Sequence, residues 1–345
     1  MGAPCRVRPR WWQARGEGSG LIVRSPVRRK FAIGFLVLVA ILVIAWVALS
    51  LAYPVRFTYD AKLPLNAQVE FNRDFETCNQ YRVAFDSING QRVPALLCLP
   101  KDATPPYPCV ILLHGLGQDK DLIDEIHPQF MLNGYAMICI DSQYRGERKR
   151  PGKSFISLNM FETRHTFAQT IVDARRCVDF LQTQEEINPY QIVLVGASMG
   201  GILGTTVTAY EPRVKATVLL YAGGNLERLL AESTILYPQK TWWRSAFAWI
   251  SGVIIRQTDP ARHIGKISPR PVLMINGRHD TVVPLPCAEE LFAAAREPKE
   301  SIWHDTDHIG LDGRELVDTC IDESIAWFNE VLGRRTETAA VSDQM

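Results

Sequence analysis

Apolar and polar positions follow three different rhythms along this chain. From Phe31 to Tyr53 the side chains are apolar or uncharged without a break, twenty-three residues in which no helical face turns polar. A bilayer core needs about 20 such residues in a helix, and Trp46 and Tyr53 lie toward the far end, where interfacial aromatics anchor a span. The run is too long for the 7–15-residue apolar core of a cleaved signal peptide. It therefore predicts an uncleaved transmembrane signal anchor.

Beyond Pro54 the rhythm alternates. Pro54 to about residue 79, with prolines at 54 and 64, reads as a linker. A hairpin follows, Tyr81–Asp86 and Val93–Leu99 around Ser87-Ile88-Asn89-Gly90. Short, mostly apolar runs come next at Cys109–Leu113, Tyr135–Ile140, Gln191–Val195, Val214–Leu220 and Pro271–Ile275, with a shorter one at Glu300–Trp303. Such runs suit strands buried on both faces of a parallel sheet. Helical spacing separates them, at about 121–133, at Phe167–Leu181, directly after Gly201, near 286–296 and along Leu316–Leu332. Residues 224–265 break the alternation with Leu226, Leu229, Leu230, Trp242, Trp243, Phe247, Trp249 and Ile250, and read as an inserted helical cap. Strands and helices in alternation predict a doubly wound α/β domain with a mostly parallel sheet. The organisation is then a basic tail 1–30, a membrane anchor 31–53, a linker 54–79, an α/β domain 80–333 and a polar tail 334–345.

Charge sharpens that picture. The 345-residue chain has a formal net charge of +1, but residues 1–30 hold eight basic residues against the single acid Glu17. That segment carries +7, so the remainder carries −6. The basic flank precedes the apolar run, which places residues 1–30 in the cytoplasm and the α/β domain on the periplasmic or extracytoplasmic side. A mildly acidic body excludes nucleic acid as the main partner. The eight cysteines are scattered without metal-ligand spacing; Cys98, Cys109 and Cys139 fall inside strands and read as buried thiols.

The chemistry gathers where strands end. Gly196-Ala197-Ser198-Met199-Gly200-Gly201 follows one strand and opens a helix, the context that turns a G-x-S-x-G string into a nucleophile elbow. Asp280 follows the strand ending at Ile275, and His308 follows the one ending near Trp303. A serine hydroxyl needs a base, and the base needs a carboxylate to orient it. His304 is a rival base, but it sits at the strand's end without the following glycine that frees the loop of His308. His304, Asp305, Asp307 and His308 also suggest a metal cluster; they lie in a loop and lack the helical face that i, i+4 histidines require, so no metal is expected.

These motifs resemble the α/β-hydrolase superfamily, in its dienelactone hydrolase and acetyl-xylan-esterase-like branch. The resemblance rests on four strings in register with the strands: His114–Gly117, Asp141–Gly146, Gly196–Gly201 and Gly277–Pro284. It spans about residues 80–333. It implies Ser198 as nucleophile, His308 as base and Asp280 as orienting acid, with the backbone N–H groups of Leu116 and Met199 as the oxyanion hole. His114, Gly115, Gly196, Gly200 and Arg145 would support them, Arg145 by bracing loops, while Arg148, Lys149, Arg150 and Lys153 read as solvated. The implied activity is that of a membrane-anchored serine hydrolase acting on a small or lipid-like carboxylic ester, without a cofactor. A prolyl-oligopeptidase-like peptidase is the alternative, disfavoured because that family carries a large N-terminal propeller. A catalytically inactive membrane-tethered binding protein is the remaining reading.

Overall fold

The computed structural model describes residues 26–52, 54–234, 242–310 and 313–334. Most of the basic tail, Tyr53, the Trp242 side chain and nearly all of the polar tail lie outside the described residues. The chain divides into two units, with the boundary between Ser50 and Leu51.

The first unit contains all but the last two residues of α1 (Pro26–Ala52), a 27-residue helix whose described side chains, Lys30 to Trp46 and Ala48, are all exposed. Counted over the described residues, no helix is long and apolar enough to cross a membrane. The span expected at 31–53 thus remains a reading of the sequence.

The second unit is built on one nine-stranded sheet. In chain order its elements are β1 (Gln68–Asp74), β2 (Cys78–Asp86), β3 (Arg92–Pro100), β4 (Tyr107–Leu113), α2 (Ile123–Leu132), β5 (Ala136–Ile140), α3 (Met160–Leu181), β6 (Ile187–Ala197), α4 (Met199–Tyr210), β7 (Val214–Leu220), α5 (Leu226–Glu232), α6 (Trp242–Ile255), β8 (Val272–Gly277), α7 (Leu285–Ala294), β9 (Lys299–His304) and α8 (Arg314–Val331). The strand order is β1-β2-β3-β5-β4-β6-β7-β8-β9. The first three strands and the β3–β5 junction are antiparallel; from β5 to β9 every pair is parallel. This is the expected mixed, mostly parallel α/β sheet.

The expected linker 54–79 needs correction. Its second half is β1, an edge strand pairing Gln68 with Ala84 and Phe71 with Tyr81. All seven of its residues keep solvent contact, so the short alternation Gln68-Val69-Glu70-Phe71-Asn72 buries neither of its apolar residues. An exposed edge strand rich in polar and charged side chains is a common way to discourage sheet-to-sheet association.

Two apolar layers cover the sheet. One joins its side chains to α3, α4 and the insertion, through residues such as Phe167, Ile171, Ile202, Leu229 and Ile254. The other joins them to α2 and α8, through Phe130, Ile321 and Phe328. The central strands β4 and β5 are buried at every position, which is why they read as unbroken apolar runs. The insertion between β7 and β8 holds α5 and α6 and is tied down at Asp259, whose carboxylate accepts the amides of Asn225 and Leu226.

Candidate active site

Ser198 is the single residue between β6 and α4. Its backbone has φ 53° and ψ −117°, in the left-handed half of the map that side chains avoid. The turn holds because its neighbours are glycines. A Cβ on Gly196 would lie 2.5 Å from the Gly200 carbonyl oxygen, and one on Gly200 would lie 1.9 Å from the Leu113 carbonyl oxygen. The Ser198 amide is itself given to the Leu220 carbonyl at 2.8 Å. Strand, elbow and helix therefore pin the serine at the C-terminal edge of the sheet, where open α/β sheets place their ligands.

The other two expected residues come to the same point. His308 Nε2 lies 2.9 Å from Ser198 Oγ, and its Nδ1 lies 2.7 Å from Asp280 Oδ2. The second Asp280 oxygen accepts the amides of Val282 at 2.8 Å and Val283 at 2.7 Å. With one oxygen fixed by two amides, the other faces the imidazole in a set direction. This selects the tautomer in which Nδ1–H donates to Asp280 and Nε2 accepts from the serine hydroxyl.

The loops that carry Asp280 and His308 are sewn together. Arg278 N–H donates to the His304 carbonyl and His279 N–H to the Thr306 carbonyl. Asp307 accepts from Thr281 N–H at 2.8 Å and from His308 N–H at 2.7 Å. The Thr281 amide lowers the pKa of that carboxyl; partial burial opposes the shift, and the His308 amide adds to it. Tyr221 closes the arrangement from below, its ring edge-on to the His308 imidazole with centroids 5.7 Å apart and its hydroxyl 2.7 Å from Thr306 Oγ1.

The loop after β4 is held by a separate clasp. His114 Nδ1 lies 2.9 Å from the Gly115 carbonyl, and its Nε2 accepts the Ser142 amide at 3.3 Å. Burial pushes this imidazole toward its neutral form, as those two bonds require. Arg145 Nε donates to the Gln118 carbonyl at 3.0 Å, so Arg145 braces the loop. The Gly115 amide is given to Gln118 Oε1 at 3.0 Å. Leu116 and Met199 line a cavity of about 300 Å³ together with Ser198 and His308.

Asp141, fully buried, ties this loop to the next. One of its oxygens accepts Lys120 N–H at 3.0 Å and the other accepts Glu147 N–H at 2.9 Å. Burial raises the carboxyl's pKa, against the pull of those amides and the Lys120 ammonium. Arg148 corrects the solvated reading of the basic loop: it is buried, paired with Asp173 at 2.7 Å and bonded to the Asp141 carbonyl. Lys149, Arg150 and Lys153 are exposed as expected.

His304 points elsewhere. Its Nε2 lies 3.0 Å from Glu323 Oε2. His304, Cys320 and Glu323 bring their ligand atoms within 4.8 Å of one another; no local spacing marks that group, because its members come from a strand end and a helix. His279 meets Asp305 at 2.7 Å on the surface. Trp243 and Trp249 of α6 are exposed, and neither lines a cavity beside Ser198.

A mixed sheet of this order, with a serine elbow after β6 and an acid and a histidine after β8 and β9, defines an α/β-hydrolase. The chain is similar to the acetyl-xylan-esterase and dienelactone-hydrolase-like branch of that superfamily. The acetyl xylan esterase (AXE1) family model matches residues 58–223. YtaP of Bacillus subtilis, which carries a hydrolase name, is 24% identical over 212 residues, 57% of this chain and 69% of that protein. The uncharacterized YfhR of Salmonella typhimurium is 32% identical over 142 residues, 40% of this chain and 47% of that protein. The solved acetyl xylan esterase from Paenibacillus sp. R4 superposes with a TM-score of 0.64 at 21% identity, covering 76% of this chain and 89% of that one.

Proposed function

We propose that this hydrolase cleaves carboxylic esters through an acyl-enzyme intermediate. The observation that carries the reading is the continuous hydrogen-bonded line from Ser198 Oγ through the His308 imidazole to Asp280. Ser198 Oγ attacks the ester carbonyl while its proton passes to His308 Nε2. The carbonyl oxygen becomes an oxyanion facing the amides of Met199 and Leu116, each such donor being worth about 3 kcal/mol in the transition state. The imidazolium, stabilised by the Asp280 carboxylate, protonates the leaving alcohol. A water molecule then gives its proton to His308 and attacks the acyl carbon, and the serine is regenerated. No step calls for a group beyond these side chains and amides.

The location is proposed from the sequence. The uncharged run 31–53, behind a segment of eight basic residues and one acid, supports a single-pass anchor with the N-terminus in the cytoplasm and the hydrolase outside it. A membrane-facing or lipid-like ester would then be as accessible as a soluble one.

Turnover of p-nitrophenyl esters set against peptide anilides tests the reaction class. Ester hydrolysis that disappears in Ser198→Ala supports the reading. Cleavage of the anilides alone contradicts it and favours a peptidase.

A further inference from the structure

Two cavities meet at Ser198, and they differ in kind. They share Gly115, Gln118, Ser198, Ile309 and Gly310. The larger, about 300 Å³, adds His308, Leu116 and Met199 and reaches the insertion at Leu229 and Ser233. The smaller, about 70 Å³, runs the other way, between the sheet and helices α2 and α8. Its wall is Leu112, Leu122, Ile126, Phe130, Val317 and Ile321. Among the described residues, no charged side chain lines it. The one hydroxyl at its inner end, on Ser324, is already donated to the Cys320 carbonyl at 2.6 Å.

The reaction assigns the two. His308 has to protonate the departing alcohol, so the alcohol lies on the side that His308 lines. The acyl group takes the remaining direction. The geometry points to the small aliphatic cavity as the acyl pocket, with Phe130 and Ile126 setting the chain length, and to a short unbranched acyl group of about three or four carbons as its occupant. This inference rests on the ester-hydrolase reading and names the acyl half of its substrate. The size follows from the volume. A water molecule's share of liquid is about 30 Å³, so 70 Å³ takes about two or three methyl or methylene groups beyond the carbonyl. Past Gln118 and Ser198 at its mouth, the described residues offer a sugar or a charged acid only the Ser324 hydroxyl, and leaving such groups unpaired is costly.

The test is kcat/KM for p-nitrophenyl esters from acetyl to octanoyl in wild type, Phe130→Ala and Ile126→Phe, with the alcohol varied separately at fixed acyl group. In wild type the value should rise about fourfold per added methylene up to butyryl, then fall at least tenfold by octanoyl. Phe130→Ala should move the optimum to hexanoyl or longer. Ile126→Phe adds bulk without a cavity, so it serves even where Phe130→Ala does not fold. It should cost butyryl at least tenfold more than it costs acetyl, with the order of preference among alcohols unchanged. A chain-length profile that is flat, peaks at octanoyl or does not shift in either variant overturns the pocket and leaves the hydrolase reading intact. Absence of any Ser198-dependent ester turnover overturns that reading, and the pocket with it.

Discussion

Asp280 holds His308 through one oxygen while two backbone amides, those of Val282 and Val283, occupy the other. The carboxylate therefore does two things at once: it fixes the ring's rotation and it chooses which nitrogen carries the proton. Asp280→Asn preserves the shape but not this choice. The amide oxygen would stay with the Val282 and Val283 N–H groups, leaving an –NH₂ opposite Nδ1. The imidazole would have to place its proton on Nε2, facing the serine it should deprotonate. We expect kcat to fall about 10⁴-fold with KM and the melting temperature nearly unchanged. Steady-state kinetics at neutral pH measure this, and a loss below tenfold would show that the tautomer is not set by Asp280.

The two histidines near the end of β9 separate cleanly. His308 touches Ser198 and Asp280, whereas His304 is bonded to Glu323 on α8. His308→Ala should abolish turnover, and His304→Ala should keep most of it. Turnover measured on both purified variants decides the matter; the reverse pattern would give the role of base to His304.

Asp307 gives the His308 loop an acid-sensitive fastening. Its folded pKa is depressed, so its contribution to stability is fully present above the unfolded carboxylate value of about 3.9 and is lost as pH falls through the lower folded value. Asp307→Ala should be less stable than wild type at pH 7. The gap should shrink as the medium is acidified below the ordinary carboxylate range. Urea unfolding at the two extremes measures it, and a gap independent of pH would remove Asp307 from the fastening.

How much of this could be read from the chain depends on the range of the contact. The elbow was legible because its signal is the short string Gly196–Gly201, although the Leu113 carbonyl that requires glycine at Gly200 lies on β4, 87 positions away. The buried strands β4 and β5 were legible because burial on both faces leaves an unbroken apolar run. Edge strand β1 was not, since its alternation from Gln68 to Asn72 is only five residues long and its apolar side chains, Val69 and Phe71, stay exposed. Arg148 misled the reading of its loop because its partner, Asp173, lies 25 residues away in α3 and only the fold brings it near. Tyr221 and Asp307 escaped for the same reason. One packs on His308 across 87 positions of sequence, and the other looks like one more acid in a polar loop until its amide partners are seen.

The anchor proposed for residues 31–53 makes a topological prediction. An alkaline phosphatase fused after residue 60 should be active in a bacterial host, because that enzyme folds only outside the cytoplasm, and one fused before residue 31 should be inactive. An inactive distal fusion, made at normal levels, would contradict the outward orientation.

The central claim is that Ser198 is an activated nucleophile. A fluorophosphonate probe incubated with the purified protein, followed by peptide mass analysis, addresses it without knowledge of the substrate. The account predicts a single covalent adduct on Ser198, absent in Ser198→Ala and strongly slowed in His308→Ala. A wild-type protein that stays unlabelled, or a Ser198→Ala variant that labels as fast as wild type, would contradict it.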